Sequence, residues 1–144
     1  MKRINHVILY GQIDLKRIYT IRRLLAVEIL LSTDLEVLGG SHRVVCESDL
    51  ALETLAFVLT AMAHKEPLTA TVHGWLWSGE KQAHVVAHEV DFHVATLLRE
   101  QAVAVIKQLR KTENALPQWV SVNGWKVNIH EMLADGVEIS GGLV

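Results

Sequence analysis

Several features typical of enzymes, zinc proteins and membrane proteins are missing from this sequence of 144 residues. Cys46 is the single cysteine, which excludes an intramolecular disulfide and a zinc site built on cysteines. No apolar stretch approaches the roughly 18–20 residues that a membrane-spanning helix needs. A glycine-rich phosphate loop and a nucleophile–base motif are also absent. We therefore expect a cytoplasmic protein without a membrane anchor, an enzymatic activity or a cofactor.

The basic side chains are concentrated at the start of the chain. Residues 1–23 carry six basic side chains and one acidic side chain, whereas the rest of the chain carries eight basic and 15 acidic ones. A basic edge of this kind suits a polyanionic partner, although the same side chains can simply hydrate a surface strand. The six basic residues are Lys2, Arg3, Lys16, Arg17, Arg22 and Arg23.

Alternating apolar and polar residues predict five strands. The longest run, residues 24–38, has an apolar or β-branched side chain at every odd position, which is typical of a half-buried strand. Residues 52–62 instead repeat apolar side chains every three or four positions, as one face of a helix does. Asp49 is placed to cap this helix, and Pro67 lies beyond its end. The other four strands are predicted at residues 6–13, 42–47, 68–77 and 82–94.

The order of these elements points to one architecture. A helix inserted between the third and fourth of five strands is the arrangement of an OB-type barrel. We therefore predict a mainly β fold, in which residues 1–95 form a five-stranded OB-type β-barrel with a helix between strands 3 and 4. Residues 96–144 form a C-terminal appendage, made of a helix over 96–111 and a β-hairpin. The Asn123-Gly124 dipeptide of that hairpin suits a type I′ turn.

Four segments resemble the bacterial single-stranded DNA-binding protein family, which includes primosomal replication relatives. The segments similar to this family are residues 5–13 (NHVILYGQI), the pair Tyr19-Thr20, residues 72–76 (VHGWL) and residues 86–92 (VAHEVDF). They correspond in order to its first strand, the approach to its second strand, its fourth strand and its closing strand. The resemblance implies an OB fold and binding of single-stranded DNA in replication, recombination or repair.

The last two barrel strands are predicted to pair around a turn at residues 78–81. In that register the opposite residues are Trp77 and Gln82, Trp75 and His84, and His73 and Val86. Because side chains alternate along a strand, the tryptophans and histidines share the outward face. The predicted barrel interior is formed by Ala70, Val72, Leu76, Ala83, Val85 and Ala87. A bulge near His88-Glu89 is expected, since the apolar residues beyond it stand at even positions.

Outward aromatic and basic side chains near this hairpin make up the predicted binding surface. A base stacked on an aromatic ring contributes about 1–3 kcal/mol, and lysine and arginine add a salt-dependent attraction to phosphate. In an OB barrel, the loop after strand 1 and the loop between strands 4 and 5 flank the same face. The predicted nucleic-acid-binding residues are Trp75, Trp77, Tyr10, Lys16, Arg17, Arg22, Arg23, His73 and His84.

The tryptophans also fit packing roles. Trp75 and Trp77 can instead pack beneath the helix over 96–111 or within a subunit interface, where aromatic residues are enriched. Trp119 and Trp125 flank the Asn-Gly turn, and we interpret them as cross-strand or interface packing.

The eight histidines do not predict a metal site. The predicted register makes His73 and His84 diagonal neighbours at roughly 7–8 Å. Two imidazoles fall short of the three or four protein ligands of a zinc site. Glu89 and Asp91 could complete a set of metal ligands only if the bulge turned them inward, so we expect no metal site.

The sequence therefore favours a non-enzymatic protein that binds single-stranded DNA largely without sequence preference; it does not distinguish DNA from RNA. One OB barrel covers few nucleotides, so we expect a homo-oligomer, either a dimer or a tetramer. The alternative is an OB-derived module for protein–protein interaction or assembly that does not bind nucleic acid. The acidic remainder of the chain favours that alternative, as does Glu47, which stands where the resembled family often has a stacking tryptophan.

Overall fold

A closed barrel of five strands forms the larger part of this computed structural model, which describes residues 5–21, 26–33, 40–78, 83–111 and 116–134. The strands are β1 (Asn5–Ile21), β2 (Ala26–Thr33), β3 (Gly40–Glu47), β4 (Thr69–Ser78) and β5 (Ala83–His93). Around the barrel they follow the order β1-β2-β3-β5-β4; β3 and β5 are parallel, and the other neighbours are antiparallel. Helix α1 (Ser48–His64) connects β3 to β4. The predicted mainly β, OB-type barrel is confirmed.

The barrel interior follows from the alternation of apolar residues along each strand. Val27, Ile29 and Leu31 of β2 are buried, as the odd-position pattern predicts, and Val44 of β3 is buried beside them. Burying an aliphatic side chain of this size stabilises the fold by about 1.5–3 kcal/mol. The ring of Phe57 in α1 stacks on that of Phe92 in β5 at 4.3 Å between centroids, which ties the helix to the barrel.

Cys46 lies inside this core. Its thiol is fully buried, and burial together with the neighbouring Glu47 raises its pKa from 9.0 to about 12. A thiol of this kind stays protonated near neutral pH and packs as a small apolar side chain.

The ends of α1 differ in part from the prediction. The N-cap residue is Glu47, whose side chain makes no capping hydrogen bond. The expectation that Asp49 caps the helix was wrong: Asp49 lies in the first turn, and its carboxylate forms an ion pair with Arg110 at 3.3 Å. At the other end, Lys65 adopts a left-handed conformation, and Pro67 follows the helix as expected.

The C-terminal elements pack against α1 and share the buried apolar cluster of the barrel. They are α2 (Thr96–Leu109), the two-stranded hairpin of β6 (Trp119–Val122) and β7 (Trp125–Asn128), and α3 (Ile129–Ala134). Asn123 and Gly124 both have positive φ, so the predicted Asn-Gly turn is confirmed. The short helix α3 was not predicted. None of the helices in the described ranges has both the length and the apolar character that crossing a bilayer requires.

The first two strands have different bounds from those predicted. β1 continues beyond Ile13 to Ile21, through residues that were expected to form a loop. Its pairing with β2 is irregular between Ile13 and Ile18, where four residues of β1 stand opposite one residue of β2. A bulged strand of this kind accommodates extra residues by bending, which is how the barrel keeps the charged segment in a strand. The predicted ends of the second strand, at residues 24–25 and 34–38, lie outside the described residues.

Candidate nucleic-acid interface

Arg43, His84 and Trp77 stand side by side on the outward face of β3, β5 and β4. Val44 and Val85 are paired in the parallel register and both are buried, so the residues just before them, Arg43 and His84, face outward. His84 in turn is paired with Trp77 across the β4–β5 hairpin. A guanidinium, an imidazole and an indole therefore occupy neighbouring positions on three adjacent strands.

Trp75 continues the same surface one step along the hairpin. It is paired with Val86, which is itself paired with Val45 across the parallel β3–β5 ladder. Both valines and Trp75 are half-buried. We call the surface formed by Arg43, His84, Trp77 and Trp75 the barrel interface.

A buried carboxylate holds the cation of the barrel interface. The guanidinium of Arg43 donates from Nε to Oε1 of Glu28, which is 1% exposed on the neighbouring strand β2. Oε2 of Glu28 is also buried and has no hydrogen-bond partner among the described residues. Because a buried charge needs a partner, this ion pair fixes the position of Arg43. Arg43 was not among the binding residues predicted from the sequence.

One edge of the Trp77 ring is buried. Its side chain is half-buried, and its Nε1 atom is buried and has no acceptor among the described residues. The exposed part of the ring therefore lies away from Nε1. That part presents an apolar surface to a planar ligand.

The basic residues of β1 approach the barrel interface from the β2 side. The irregular segment that contains Lys16 and Arg17 lies opposite Leu30, and Leu30 is paired with Arg43. The expectation that Lys16 and Arg17 stand in a loop was wrong, because β1 runs through them. Arg22 and Arg23 lie outside the described residues.

Tyr10 and His73 lie farther down the barrel. Tyr10 is 61% exposed and is paired with Thr71, six residues from Trp77 along β4, whereas His73 is four residues from Trp77. At about 3.3 Å per residue these separations are roughly 20 Å and 13 Å. The structure therefore brings His84, Trp75 and Trp77 together and leaves Tyr10 at a distance, whereas His73 lies two residues from Trp75 on the same face of β4.

His73 belongs to a group of imidazoles next to Trp75. His6 is paired with Trp75, and the two rings meet edge to face at 5.1 Å. The Nε2 atoms of His6 and His88 are 2.9 Å apart, so one ring donates a hydrogen bond to the other. The ring of His73 lies 6.3 Å from each of these histidines. Within the described parts of the chain, no group of three or more histidine, cysteine or acidic side chains is arranged to hold a metal ion.

The predicted hairpin register was wrong by two residues at Trp77 and Trp75, and by three at His73, where the bulge adds one more. Trp77 is paired with His84 rather than Gln82, Trp75 with Val86 rather than His84, and His73 with Glu89 rather than Val86. The two outward histidines are consequently not diagonal neighbours. The faces were predicted correctly, apart from Ala83, which is exposed, and Leu76, which is half-buried. The reason is that a shift of two residues preserves the alternation.

The predicted bulge is present in β5. The register shifts between His73 and Gly74 of β4, so that His88 has no partner in the ladder. Beyond it Phe92 is buried and Val90 half-buried, whereas Glu89 and Asp91 remain exposed. The bulge therefore keeps the apolar residues inside and does not turn the two carboxylates inward.

Two solved structures are similar to this chain at low sequence identity. One is a small single-stranded DNA binding protein from Mycoplasma pneumoniae, with 14% identity and a TM-score of 0.44; the match covers 60% of this chain and 91% of that one. The other is the Stn1–Ten1 complex of S. pombe, with 16% identity, a TM-score of 0.40 and coverage of 70% and 67%. No protein-family model matches the sequence, and no curated protein matches it significantly. The chain has an OB fold on the evidence of its own strand order and helix position.

Proposed function

We propose that this chain binds single-stranded DNA in the cytoplasm, without enzymatic chemistry and largely without sequence preference, in replication, recombination or repair. The observation that carries the proposal is the neighbouring placement of Arg43, His84 and Trp77 on the outward face of the barrel. Stacking platforms beside cations are the general means by which proteins hold single strands. The proposed binding domain is residues 1–95, and residues 96–144 are its appendage.

Each side chain of the barrel interface has a distinct proposed role. A base stacks on the exposed part of Trp77, and a second base contacts Trp75. Arg43, held by Glu28 through Nε, places its positive charge next to a phosphate. His84 lies between them and donates to phosphate or sugar oxygens. These contacts recognise rings and phosphates rather than base edges, which accounts for the lack of sequence preference.

The remaining predicted residues extend this interface. Lys16 and Arg17 of β1, with Arg22 and Arg23, supply phosphate contacts on the β2 side. Tyr10 and His73 contact the strand where it continues down β4. Phosphate contacts weaken binding as salt rises, by a slope of about 0.7 in log K per contact for single strands.

Titration with labelled oligo(dT) tests the proposal. We expect micromolar or tighter binding at low salt that weakens as salt increases, because phosphate contacts release counterions. Trp77→Ala should weaken binding by about 5-fold or more, since one stacked base contributes about 1–3 kcal/mol. Trp125→Ala, in the other hairpin, is the matched control and should leave binding of a short oligonucleotide unchanged. Absence of binding at micromolar protein contradicts the proposal, and unfolding of the Trp77→Ala variant assigns that side chain to the core.

We also propose that the chain forms a homo-oligomer, a dimer or a tetramer. The support is the outward face of β1, where the large apolar side chain of Ile8 is 61% exposed. Burial of such residues in a subunit contact is favourable. Light scattering should give a mass of two or four chains, and Ile8→Glu should reduce it; a monomeric wild-type protein contradicts this part of the proposal.

A protein-interaction module that does not bind nucleic acid is the second candidate. Glu28 already neutralises Arg43, and the exposed Ile8 and Tyr10 suit a protein partner as well as a second copy. The oligo(dT) titration separates the two functions, because the module predicts no binding at any salt concentration.

A further inference from the structure

The β6–β7 hairpin carries an aromatic ring and a cation on a surface that the barrel interface does not use. Trp119 is 48% exposed, and Nζ of Lys126 lies 5.3 Å from the centroid of its ring. The two residues are on the same outward side of the hairpin, because Lys126 is paired with Ser121 and Trp119 is two residues from Ser121. The exposed ring and the cation over it bring an apolar stacking surface and a positive charge to one place on the hairpin.

The hairpin is anchored by its inward face and along the edge of β6. Val120 and Val127 are paired and buried, so the inward side belongs to the core. At the edge of β6, the backbone of Ser121 makes two hydrogen bonds with the side chain of Gln108 in α2. The Ser121 N–H donates to Oε1 at 2.9 Å, and Nε2 donates to the Ser121 carbonyl at 2.8 Å. The backbone that carries Trp119 is therefore held in place before any ligand arrives.

Exposed lysines accompany α2 and the β6–β7 hairpin. Residues 96–144 carry five basic and five acidic side chains, whereas residues 24–95 carry three basic and ten acidic ones. Lys107 lies next to Gln108 on α2, Lys111 lies one turn beyond it, and both are exposed. Arg110 is paired with Asp49, but no carboxylate of the described residues forms an ion pair with Lys107, Lys111 or Lys126. The C-terminal segment therefore lacks the acidic excess of residues 24–95.

We propose that Trp119 and Lys126 form a second contact site for the same single-stranded nucleic acid. A base stacks on Trp119, and Lys126 turns from the ring to a phosphate, with Lys111 and Lys107 placed to attract the backbone. This inference rests on the proposed function of the barrel interface and extends it to longer strands. The lysines favour a nucleic acid over a protein partner, because lysine is depleted in the buried centres of protein–protein interfaces.

Strand length separates the two sites experimentally. One OB barrel binds about 4–16 nucleotides, so labelled oligo(dT) of about 8 nucleotides reports the barrel interface and one of about 35 nucleotides can reach both sites. Trp119→Ala should weaken binding of the long oligonucleotide about 5- to 20-fold and change binding of the short one less than 2-fold. Lys126→Met should lower the salt slope for the long oligonucleotide by about one unit or slightly less. Trp125→Ala, which is 40% exposed on the same hairpin, is the control and should do neither.

The outcomes distinguish the two proposals. If wild-type protein binds neither oligonucleotide, the proposed function fails and this inference fails with it. If it binds both and Trp119→Ala affects neither, the second site is wrong while the barrel interface stands. If Trp119→Ala changes the oligomeric mass instead of the affinity for the long oligonucleotide, Trp119 is a protein contact and the inference is overturned. Circular dichroism and light scattering on each variant keep loss of folding apart from loss of binding.

Discussion

The two β-hairpins of this protein each carry two tryptophans but hold them in different ways. Trp75 and Trp77 lie on β4, one of the strands of the closed barrel, and both are half-buried. Trp119 and Trp125 lie on a two-stranded hairpin and are 48% and 40% exposed. A strand with neighbours on both sides is flanked by outward side chains, whereas Trp119 stands on the open outer face of a two-stranded ribbon. Trp125 is on the face of the buried Val122 and Val127, at the end of the hairpin next to the turn.

The cations beside the two hairpins differ in the same way. Arg43 is fixed by an ion pair with Glu28, which is 1% exposed, whereas Lys126 lies over the exposed ring of Trp119. The first cation belongs to the folded barrel, and its loss affects stability. The second is a surface cation that can move to a ligand at little cost. Four substitution experiments examine this contrast, from the largest expected effect to the smallest.

Arg43→Met should destabilise the protein by about 3 kcal/mol, because it leaves the buried carboxylate of Glu28 without a partner. The matched change Lys126→Met should alter stability by less than about 0.5 kcal/mol, as is usual for an exposed side chain. Urea unfolding followed by circular dichroism measures both. The double variant Glu28→Met and Arg43→Met should recover most of the loss. Equal effects of the two single changes would show that Arg43 is not fixed as we describe.

Gly74→Ala should destabilise the protein by about 2 kcal/mol through overpacking. A Cβ atom at this position would stand 2.4 Å from the carbonyl oxygen of Val86 and 2.8 Å from Cγ1 of Val85, so the β4–β5 hairpin must shift. Gly40→Ala is the control, because a Cβ there meets nothing within 4 Å. Thermal unfolding of the two variants gives the difference; equal stabilities would contradict the tight hairpin contact next to Trp75.

Gly124→Ala should destabilise the protein by about 1 kcal/mol, less than Gly74→Ala. Its Cβ meets nothing within 4 Å, but φ is +76°, which an alanine adopts only with strain. The measurement is urea unfolding together with binding of a short oligo(dT). Stability should fall while binding at the barrel interface is retained. Loss of short-oligonucleotide binding would mean that the two hairpins are not independent.

Burial of Cys46 in the barrel should make the stability of the protein depend on pH in alkaline solution but not near neutral pH. The pKa of Cys46 is about 12 in the folded state against 9.0 for an ordinary thiol, so the folded state holds the proton longer than the unfolded state. The stabilising contribution is complete below pH 9 and is lost as pH rises from 9 to 12. The stability advantage of wild type over Cys46→Ala should therefore shrink across this range. A constant difference would mean that the thiol is not buried.

The barrel strands could be predicted well because the alternation of apolar residues is visible within each strand alone. The alternation over β2 correctly identified the buried Val27, Ile29 and Leu31. Element order then indicated the OB arrangement. Local patterns fix faces but not register, since alternation is preserved by a shift of two residues, and the pairing of Trp77 was missed for that reason.

The binding surface was less predictable because it depends on a pairing between distant segments. Arg43 becomes part of the barrel interface because β3 lies parallel to β5, with Val44 beside Val85. No pattern within either strand indicates this neighbour. Glu28 likewise faces outward, and its burial depends on the side chains of neighbouring strands that pack around it. The alternation of the first strand was followed only to Ile13, whereas β1 continues through a bulge to Ile21.

The central claim is that the barrel interface holds the single strand, and crosslinking tests it most directly. Ultraviolet light joins thymine to neighbouring aromatic rings. Trypsin then yields two peptides that carry the tryptophans: residues 66–81, with Trp75 and Trp77, and residues 112–126, with Trp119 and Trp125. With an oligo(dT) of about 8 nucleotides, we expect the crosslink in residues 66–81. A bound oligonucleotide that crosslinks elsewhere and leaves residues 66–81 unmodified would contradict the account.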